Sequence, residues 1–474
     1  MPKPGFLKAA GGPLSLPTLD REGGRRHVHP VTAKGRFRTA RGVVAVLLIA
    51  IFLGLPHLSI GGRPAFLIDI GRRQLSLFGA TFFATELFSL AVIGIGSVVA
   101  IALFTALFGR VWCGWACPQT IYLEFLYRPF EGLFDGPPAV RSRMASTPMT
   151  VSRGLRKLGK WAVYLLIALL LANTFVAYFI PTGELFAMVR SDPRDNWTAF
   201  LAMAIVTGLV AFDFGWFREQ TCIIACPYGR LQSVLIDAQS IVVGYDAKRG
   251  EPRKKAIDRD VAGDGSGDCV DCLACVRTCP TSIDIREGLQ LECIGCTQCI
   301  DACDAIMVRL KKPKGLVRYT SLDELQGKTV KFFRPRLAFY AALMFLAIGV
   351  LAFGMYSREA FEFDIVRMPG TTFYTQPDGL VVNRVRLRVT NRLTSDQQVD
   401  IRLTAPEGAE FLSPPMPIQL PGRAVVPVEG IVRMPKSAFG SVGGRIPAKF
   451  TLNTVNGKEQ QKNFVLLGPI GGAP

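Results

Sequence analysis

Cys269-Val270-Asp271-Cys272-Leu273-Ala274-Cys275-Val276-Arg277-Thr278-Cys279-Pro280 is answered, after a short gap, by Cys293-Ile294-Gly295-Cys296-Thr297-Gln298-Cys299-Ile300-Asp301-Ala302-Cys303. Both runs space their cysteines Cys-x2-Cys-x2-Cys-x3-Cys, and together they take eight of the 12 cysteines in the chain. Three thiolates so spaced wrap one corner of a [4Fe–4S] cube, and the fourth reaches the neighbouring cube. The expected wiring sets Cys269, Cys272, Cys275 and Cys303 on one cluster and Cys279, Cys293, Cys296 and Cys299 on the other. Structural zinc is the competing reading, but zinc sites pair two separated Cys-x2-Cys knuckles rather than repeating a four-cysteine run. Asp304 follows Cys303 where a proline is common, while Pro280 is in place. The turn and the reduction potential around Cys303 are therefore expected to differ. Clusters of this kind move single electrons, so the segment predicts a ferredoxin-like α+β domain engaged in electron transfer.

Outward from it, 474 residues suggest about three domains. About half of them are hydrophobic, concentrated in long uncharged blocks between basic stretches. Five blocks reach the roughly 20 apolar residues that span a bilayer: 42–60, 87–108, 161–180, 200–217 and 337–356. The fourth is the weakest, being short and carrying Asp213. About forty polar and basic residues precede the first block, too many for a secretory n-region, so it reads as an uncleaved signal anchor behind a disordered tail.

Lys and Arg concentrate in that tail and in 109–160 and 218–336, which assigns those parts to the cytoplasm. Arg63, Arg72 and Arg73 keep the first alternate loop from being clean. Five spans then put the C-terminus in the periplasm of a bacterial inner membrane. This topology accounts for the net charge of +18 without nucleic acid, for which no stacking or groove-reading motif is present. Membrane lipid is the expected anionic neighbour. All 12 cysteines fall on the reducing side, where metal ligands and free thiols are favoured over disulfides.

The second and fourth blocks end alike. Trp112-Cys113-Gly114-Trp115-Ala116-Cys117-Pro118 follows one, and Thr221-Cys222-Ile223-Ile224-Ala225-Cys226-Pro227 follows the other. In a helix, residues four apart share a face, so each pair of sulfurs is expected to point one way, with the proline breaking or restarting the helix. Pro118 then opens an amphipathic stretch, 119–130, suited to the membrane interface. Four soft thiols at one depth favour Cu(I), zinc or an iron–sulfur cluster; each pair alternatively cycles between dithiol and disulfide. The bland reading is buried small hydrophobes, which a twice-repeated pair beside proline argues against. Glu86 and Asp213 are intramembrane carboxylates close to an interface. His27, His29 and His57 are the only histidines, which leaves no paired axial ligands for membrane haem.

Around the clusters, 246–268 is charged and Gly-rich with Arg253-Lys254-Lys255 inside it, and reads as a linker. Both ends of the cluster domain are tethered to spans, which keeps its cubes near the cysteine pairs. From 358 the pattern turns to short alternating strands, clean over 384–389, with an Asn456-Gly457 hairpin turn. That predicts an immunoglobulin-like sandwich without catalytic residues, suited to partner docking. The fold class is a multi-domain membrane protein: a five-helix transmembrane bundle, an inserted two-[4Fe–4S] ferredoxin-like α+β domain and a C-terminal all-β sandwich. Its divisions are a basic tail at 1–40, a four-helix region at 41–245, the cluster domain at 246–334, the fifth helix at 335–357 and the sandwich at 358–474.

The paired Cys-x3-Cys-Pro motifs, the tethered two-cluster segment, the fifth helix and the cysteine-free sandwich resemble the FixG/CcoG family of cytochrome c oxidase accessory proteins. The resemblance covers the chain beyond its tail. It implies a role in assembling cbb(3)-type cytochrome c oxidase by reducing Cu(II) to Cu(I). The implied copper site is Cys113, Cys117, Cys222 and Cys226, and the implied partners are oxidase assembly components, a copper chaperone or transporter, and an unidentified electron donor. Two rivals share these motifs: a membrane relay passing quinol electrons to a periplasmic reductase, and a redox-sensing assembly scaffold.

Overall fold

The computed structural model describes Thr18 and residues 27–469 except 62, 72–73, 84–86, 145–146, 149, 254–266, 330–333, 358–359, 394, 423, 441–442 and 455–458. Glu86, Arg72, Arg73, Lys254, Lys255 and the Asn456-Gly457 turn lie outside the described residues. The chain divides into two compact units, Met1–Leu351 and Ala352–Pro474.

In the first unit, five helices are long and apolar enough to cross a membrane: Arg36–His57, Phe88–Phe108, Val151–Val176, Trp197–Phe217 and Pro335–Gly354. Much of their apolar surface is exposed, as lipid-facing side chains are (Leu47, Ile95, Leu166, Leu209 and Phe345 among them), and their backbone polar groups are satisfied within each helix, as a bilayer requires. Two boundaries differ from expectation. The first span begins at Arg36, inside the tail expected to be disordered over 1–40. Its leading amides, Phe37 N and Arg38 N, donate to the Asp301 carboxylate at 3.2 and 2.7 Å. An acid brought in from the cluster domain thus answers the unpaired amides that every helix N-terminus carries. Residues 27–35 are also held down, with the Val31 amide on Arg277 O at 3.0 Å and the Thr278 hydroxyl on Val31 O at 2.6 Å. The third span starts at Val151, ten residues ahead of the apolar block, because its basic first turns extend the same helix.

The connection after the first span was expected to be a plain loop. It forms a three-stranded antiparallel sheet of Phe66–Asp69, Gln74–Leu77 and Ala80–Phe83. The 119–130 stretch is also different: Ile121, Tyr122, Leu123 and Tyr127 are buried rather than laid along an interface. They pack with Ala45, Tyr164, Leu171 and Phe214 into a core between spans.

The cluster domain closes on itself through a two-stranded antiparallel sheet, Val242–Tyr245 with Val317–Thr320, which pins both of its ends. Its core sets Val243, Ile285, Ile300, Met307 and Leu316 around the cysteine loops. Asp304 finds its reason here. The helix Gln298–Arg309 runs through it, where a proline would remove a helical hydrogen bond, and its carboxylate accepts the Gly315 amide at 2.9 Å.

The second unit is a sandwich of two antiparallel sheets. One joins Glu410–Leu412, Val425–Pro435, Leu380–Asn391 and Phe361–Arg367 in that order, with Tyr374–Thr375 added to Leu380–Asn391; the other joins Ile418–Leu420, Gln397–Ala405, Arg445–Thr454 and Glu459–Leu467. The expected alternation holds over 384–389: Val385, Leu387 and Val389 are fully buried and meet Ile401, Phe450 and Leu452 in the core. Each such side chain stabilises the unit by about 1.5–3 kcal/mol.

Cysteine-lined hollows and a thiol quartet at the membrane boundary

The eight cysteines of the two long runs line two adjoining hollows. Cys269, Cys272, Cys275 and Cys303 surround one of about 370 Å³, walled by Ile306, Met307 and Leu316. Cys279, Cys293, Cys296 and Cys299 surround the other, of about 350 Å³, walled by Val243, Ile283 and Ile285. In each case the fourth cysteine of one run joins the first three of the other, and Cys275 also borders the second hollow. The loops achieve this with left-handed residues, among them Asp271, Leu273, Thr297 and Gly295. Among the described residues no three His, Cys, Asp or Glu side chains stand close enough to hold one metal ion. Thiols spread wider than a single ion needs fit a cube better than zinc.

The two hollows differ in surroundings. In the second, the amides of Thr281 and Ile283 bond to the Cys279 sulfur, that of Gly295 to Cys293 and that of Gln298 to Cys296. Burial pushes the free Cys293 thiol up to about 11 and Cys296 up to about 12, with Glu292 and Glu124 adding and the Arg110 and Arg41 guanidiniums opposing respectively, and it raises Cys299 well above the usual thiol value. In the first, burial pushes Cys275 and Cys303 up to about 12, with Arg286 opposing and Asp284 adding at Cys275, and Asp304 adding at Cys303. Cys272 is exposed. The first hollow is hence the outer one and the second the inner.

The four remaining cysteines come from two alike turns. Cys113 lies in the short helix Val111–Trp115 and Cys117 precedes the helix begun by Pro118. Cys222 lies in the π-helical turn Thr221–Ala225 and Cys226 precedes the helix begun by Pro227. Each turn is closed by the same bond five residues back, Cys117 N to Trp112 O at 2.9 Å and Cys226 N to Thr221 O at 2.8 Å. The expectation of one continuous helical face per pair is corrected. Each helix ends before its second cysteine, which is extended, because the following proline cannot donate to the turn before it.

All four sulfurs nevertheless fall within one another's electrostatic reach. Burial raises the Cys222 thiol, and Cys117, Cys113 and Cys226 add to it. It pushes Cys113 up to about 12, opposed by Arg110 and with Cys117 and Cys226 adding. The hairpins therefore share one electrostatic neighbourhood, although among the described residues no three of these thiols stand close enough to hold one metal ion. No disulfide joins any of these cysteines. Cys113 Sγ donates to Gln232 Oε1 at 3.1 Å. Asp213 proves to be a brace between the motifs, accepting from Gln119 Nε2 at 3.2 Å and from the Thr221 hydroxyl. His57 stands exposed at the end of the first span.

The hairpin of Cys113 sits directly on the inner hollow. A Cβ on Gly114 would come within 2.7–2.8 Å of the Gly295 and Cys296 backbone, so only glycine permits this seat. Arg110 donates to the Leu291, Cys293 and Gly229 carbonyls, and Trp115 Nε1 donates to Tyr319 OH at 2.8 Å. Behind them lies a buried network that sequence reasoning missed. Arg41 donates to Gly114 O at 2.9 Å and to Glu124 at 3.0 Å, Arg38 pairs with Glu124 at 2.9 Å, and Gln298 Nε2 reaches its other oxygen. Burial opposes ionisation of Glu124, yet Arg41, Arg128 and Arg38 outweigh it and hold the carboxyl below its usual range. A charged residue inside an otherwise apolar run, Ile121 to Leu126, was the one available signal.

Comparison with known proteins agrees with this layout. A family described as a 4Fe-4S dicluster domain matches residues 217–322, an IG-like fold at the C-terminal of FixG matches 351–469, and a 4Fe-4S binding domain matches 90–137. The protein RdxA of Cereibacter sphaeroides is 33% identical over 461 residues, covering 92% of this chain and 95% of RdxA. The nitrogen fixation protein FixG of Rhizobium meliloti is 29% identical over 418 residues, 80% of this chain and 79% of FixG. The ferredoxin-type protein NapH of Haemophilus influenzae is 24% identical over 292 residues, 56% of this chain and 87% of NapH. At such identity along nearly all of RdxA, and with the FixG C-terminal fold in place, the chain belongs to the FixG family of ferredoxin-type iron–sulfur membrane proteins.

Proposed function

We propose that the protein is a membrane-bound cupric reductase that converts Cu(II) to Cu(I) for the assembly of a cbb(3)-type cytochrome c oxidase. The observation that carries this reading is the seat of the thiol quartet, whose Gly114 lies flush against the loop of Cys293 and Cys296. When bound, the clusters supply one-electron storage and delivery. Cys269, Cys272, Cys275 and Cys303 hold one of them, and Cys279, Cys293, Cys296 and Cys299 hold the other. Cys113, Cys117, Cys222 and Cys226 offer soft sulfur, which favours Cu(I). Each Cu(II) takes up one electron to become Cu(I), and the thiols release their protons as they close on it. The concentration of Lys and Arg supports a cytoplasmic N-terminus and cluster domain. The sandwich then faces the periplasm, where assembly components and a copper chaperone or transporter meet it.

A second reading, a relay of quinol electrons to a periplasmic reductase, is favoured by the likeness to NapH; the FixG-type C-terminal fold favours the first. The test is anaerobic. Protein reduced, freed of reductant and mixed with Cu(II) is expected to give one Cu(I), captured by a chromogenic chelator, for each electron its clusters lose. Copper that stays Cu(II) beside reduced clusters overturns the proposal.

A further inference from the structure

The two hollows are covered unequally. The hairpin of Cys113 sits on the inner one, whereas no residue lining the outer one belongs to a span. Cys272 is exposed there, and Leu273 beside it leaves 44% of its surface open. The equivalent place in the second run, after its own second cysteine, is Thr297, which is 1% exposed. Both residues have a left-handed backbone, at φ 57° and 61°, a conformation that glycine or asparagine adopts far more readily than leucine. Leu273 also stays outside the hydrophobic core of the cluster domain. An apolar side chain that its backbone disfavours and its own core does not use suits the apolar centre of an interface.

A basic rim lies beside it. Arg277 Nη2 donates to Cys272 O at 3.1 Å. The loop of Lys311 and Lys314 is fastened to the start of the cysteine run. Lys312 pairs there with Asp268 at 2.7 Å, and Arg249 bridges Asp268 at 2.6 Å and the Lys314 carbonyl at 3.0 Å. The acids of this edge are therefore already matched, Asp268 by Lys312 and Arg249, and Asp271 and Asp284 by Arg286. Arg277, Lys311 and Lys314 are exposed and pair with no carboxylate among the described residues. The surplus charge beside the exposed cysteine is positive.

We propose that this edge docks a soluble, acidic one-electron carrier, a small iron–sulfur or flavin protein with a carboxylate-rich face, and is where electrons enter the chain. The inference rests on the reading of the chain as a reductase and names the class of its electron donor. One electron leaves the carrier, which is oxidised, and reduces the outer centre by one; no bond forms and no proton moves. Complementary charge steers and speeds such encounters, and electron-transfer pairs hold with interfaces below about 1,200 Å². Anionic lipid is the rival for the same charges, but a hollow lined by no span residue favours a soluble partner. Entry at the outer edge and exit at the hairpin put the two centres in series.

The test uses the full, cluster-loaded chain in nanodiscs of zwitterionic and of anionic lipid, with an acidic plant-type ferredoxin as probe. Oxidised ferredoxin is expected to bind in both, its affinity falling at least about tenfold from low salt to about 0.3 M. A zero-length carbodiimide, which joins lysine amines to carboxylates, should link it through Lys311 or Lys314. Lys311→Glu with Lys314→Glu weakens binding at least about tenfold and removes the links, whereas Lys311→Arg with Lys314→Arg keeps the affinity. Leu273→Asn, which suits the left-handed backbone, weakens binding without changing its salt dependence. Iron content stays at the wild-type value in all three variants, and bleaching of the clusters by reduced ferredoxin follows the same order as binding. Links formed elsewhere, binding indifferent to salt and to the glutamate pair, or binding lost in anionic nanodiscs because lipid holds the rim: each of these overturns the proposal. Copper reduction by the dithionite-reduced protein is scored alongside. Its failure with docking intact refutes the cupric reading and leaves the docking edge standing.

Discussion

The two hollows share one cysteine spacing and differ in what surrounds it. The inner one has backbone amides aimed at the sulfurs of Cys279, Cys293 and Cys296, two guanidiniums set against the Glu292 and Glu124 carboxylates, and the membrane hairpin seated on it. The outer one opens at Cys272 and has Asp284 and Asp304 beside its thiols, with Arg286 as the opposing charge. Spacing selects the kind of cluster; hydrogen bonds and charge set how readily it is reduced. Burial alone would penalise the added negative charge, and at the inner position amides and arginines answer it. The inner centre, next to the quartet, is therefore expected to be the easier to reduce, with the outer one as the reserve for a second electron.

The largest expected effect comes from separating the inner hollow from the quartet. Gly114→Val forces the hairpin off the Gly295 and Cys296 backbone. Copper reduction by the chemically reduced protein should fall about a hundredfold, as ångström-scale misplacement does elsewhere, with iron content unchanged. Stopped-flow mixing with Cu(II) reads this directly.

Removing the quartet sharpens the contrast between the two cysteine sets. Cys113→Ser with Cys222→Ser should abolish retention of Cu(I) and leave about eight irons per chain, the number two cubes hold. About twelve irons in the wild type, falling to about eight in this variant, would instead make the quartet a third cluster site.

A third change acts on the frame that holds the second hairpin. Arg218 Nη1 and Nη2 grip Glu131 at 3.0 and 2.9 Å, and Arg141 joins at 2.8 Å. Burial opposes ionisation of Glu131, but the arginines hold its carboxyl well below the usual carboxylate range. A depressed carboxylate contributes stability that is fully present above its unfolded value of 4.5 and lost as pH falls toward the folded value. Wild-type melting temperature should therefore decline below that pH, more steeply than in Glu131→Gln. At neutral pH the variant leaves a buried guanidinium short of a partner and should lose about 3–5 kcal/mol, with cluster absorbance intact. The smallest effect is expected from Arg41→Gln, which removes one positive charge near Cys296. A redox titration should show the inner potential falling and the outer one unmoved.

Much of this was legible in the sequence where chemistry is contiguous. Cluster ligands come in one short run because a cube is wrapped by a loop, and a span declares itself by an unbroken apolar block. What stayed hidden depends on residues far apart in the chain. Arg41 and Glu124 are 83 positions apart, and Glu124 and Gln298 are 174 apart; no local pattern joins them. The same holds for Gly114 on Gly295, since a glycine needed for close approach looks like any other. The early start of the first span was missed because its N-terminal amides are satisfied by Asp301 from another domain. The break between Cys113 and Cys117 was half visible in Pro118, which does restart a helix as expected; the preceding helix had already ended at Trp115, three residues earlier.

The decisive measurement loads the protein with a single electron per chain, mixes it anaerobically with Cu(II), and follows the loss of the cluster's paramagnetic signal. The account predicts that this electron rests at the inner cluster, recognised by a potential that shifts in Arg41→Gln. It should reach copper as fast as the first electron of the fully reduced protein. An electron that rests at the outer cluster, with copper reduction waiting until a second is added, would contradict it.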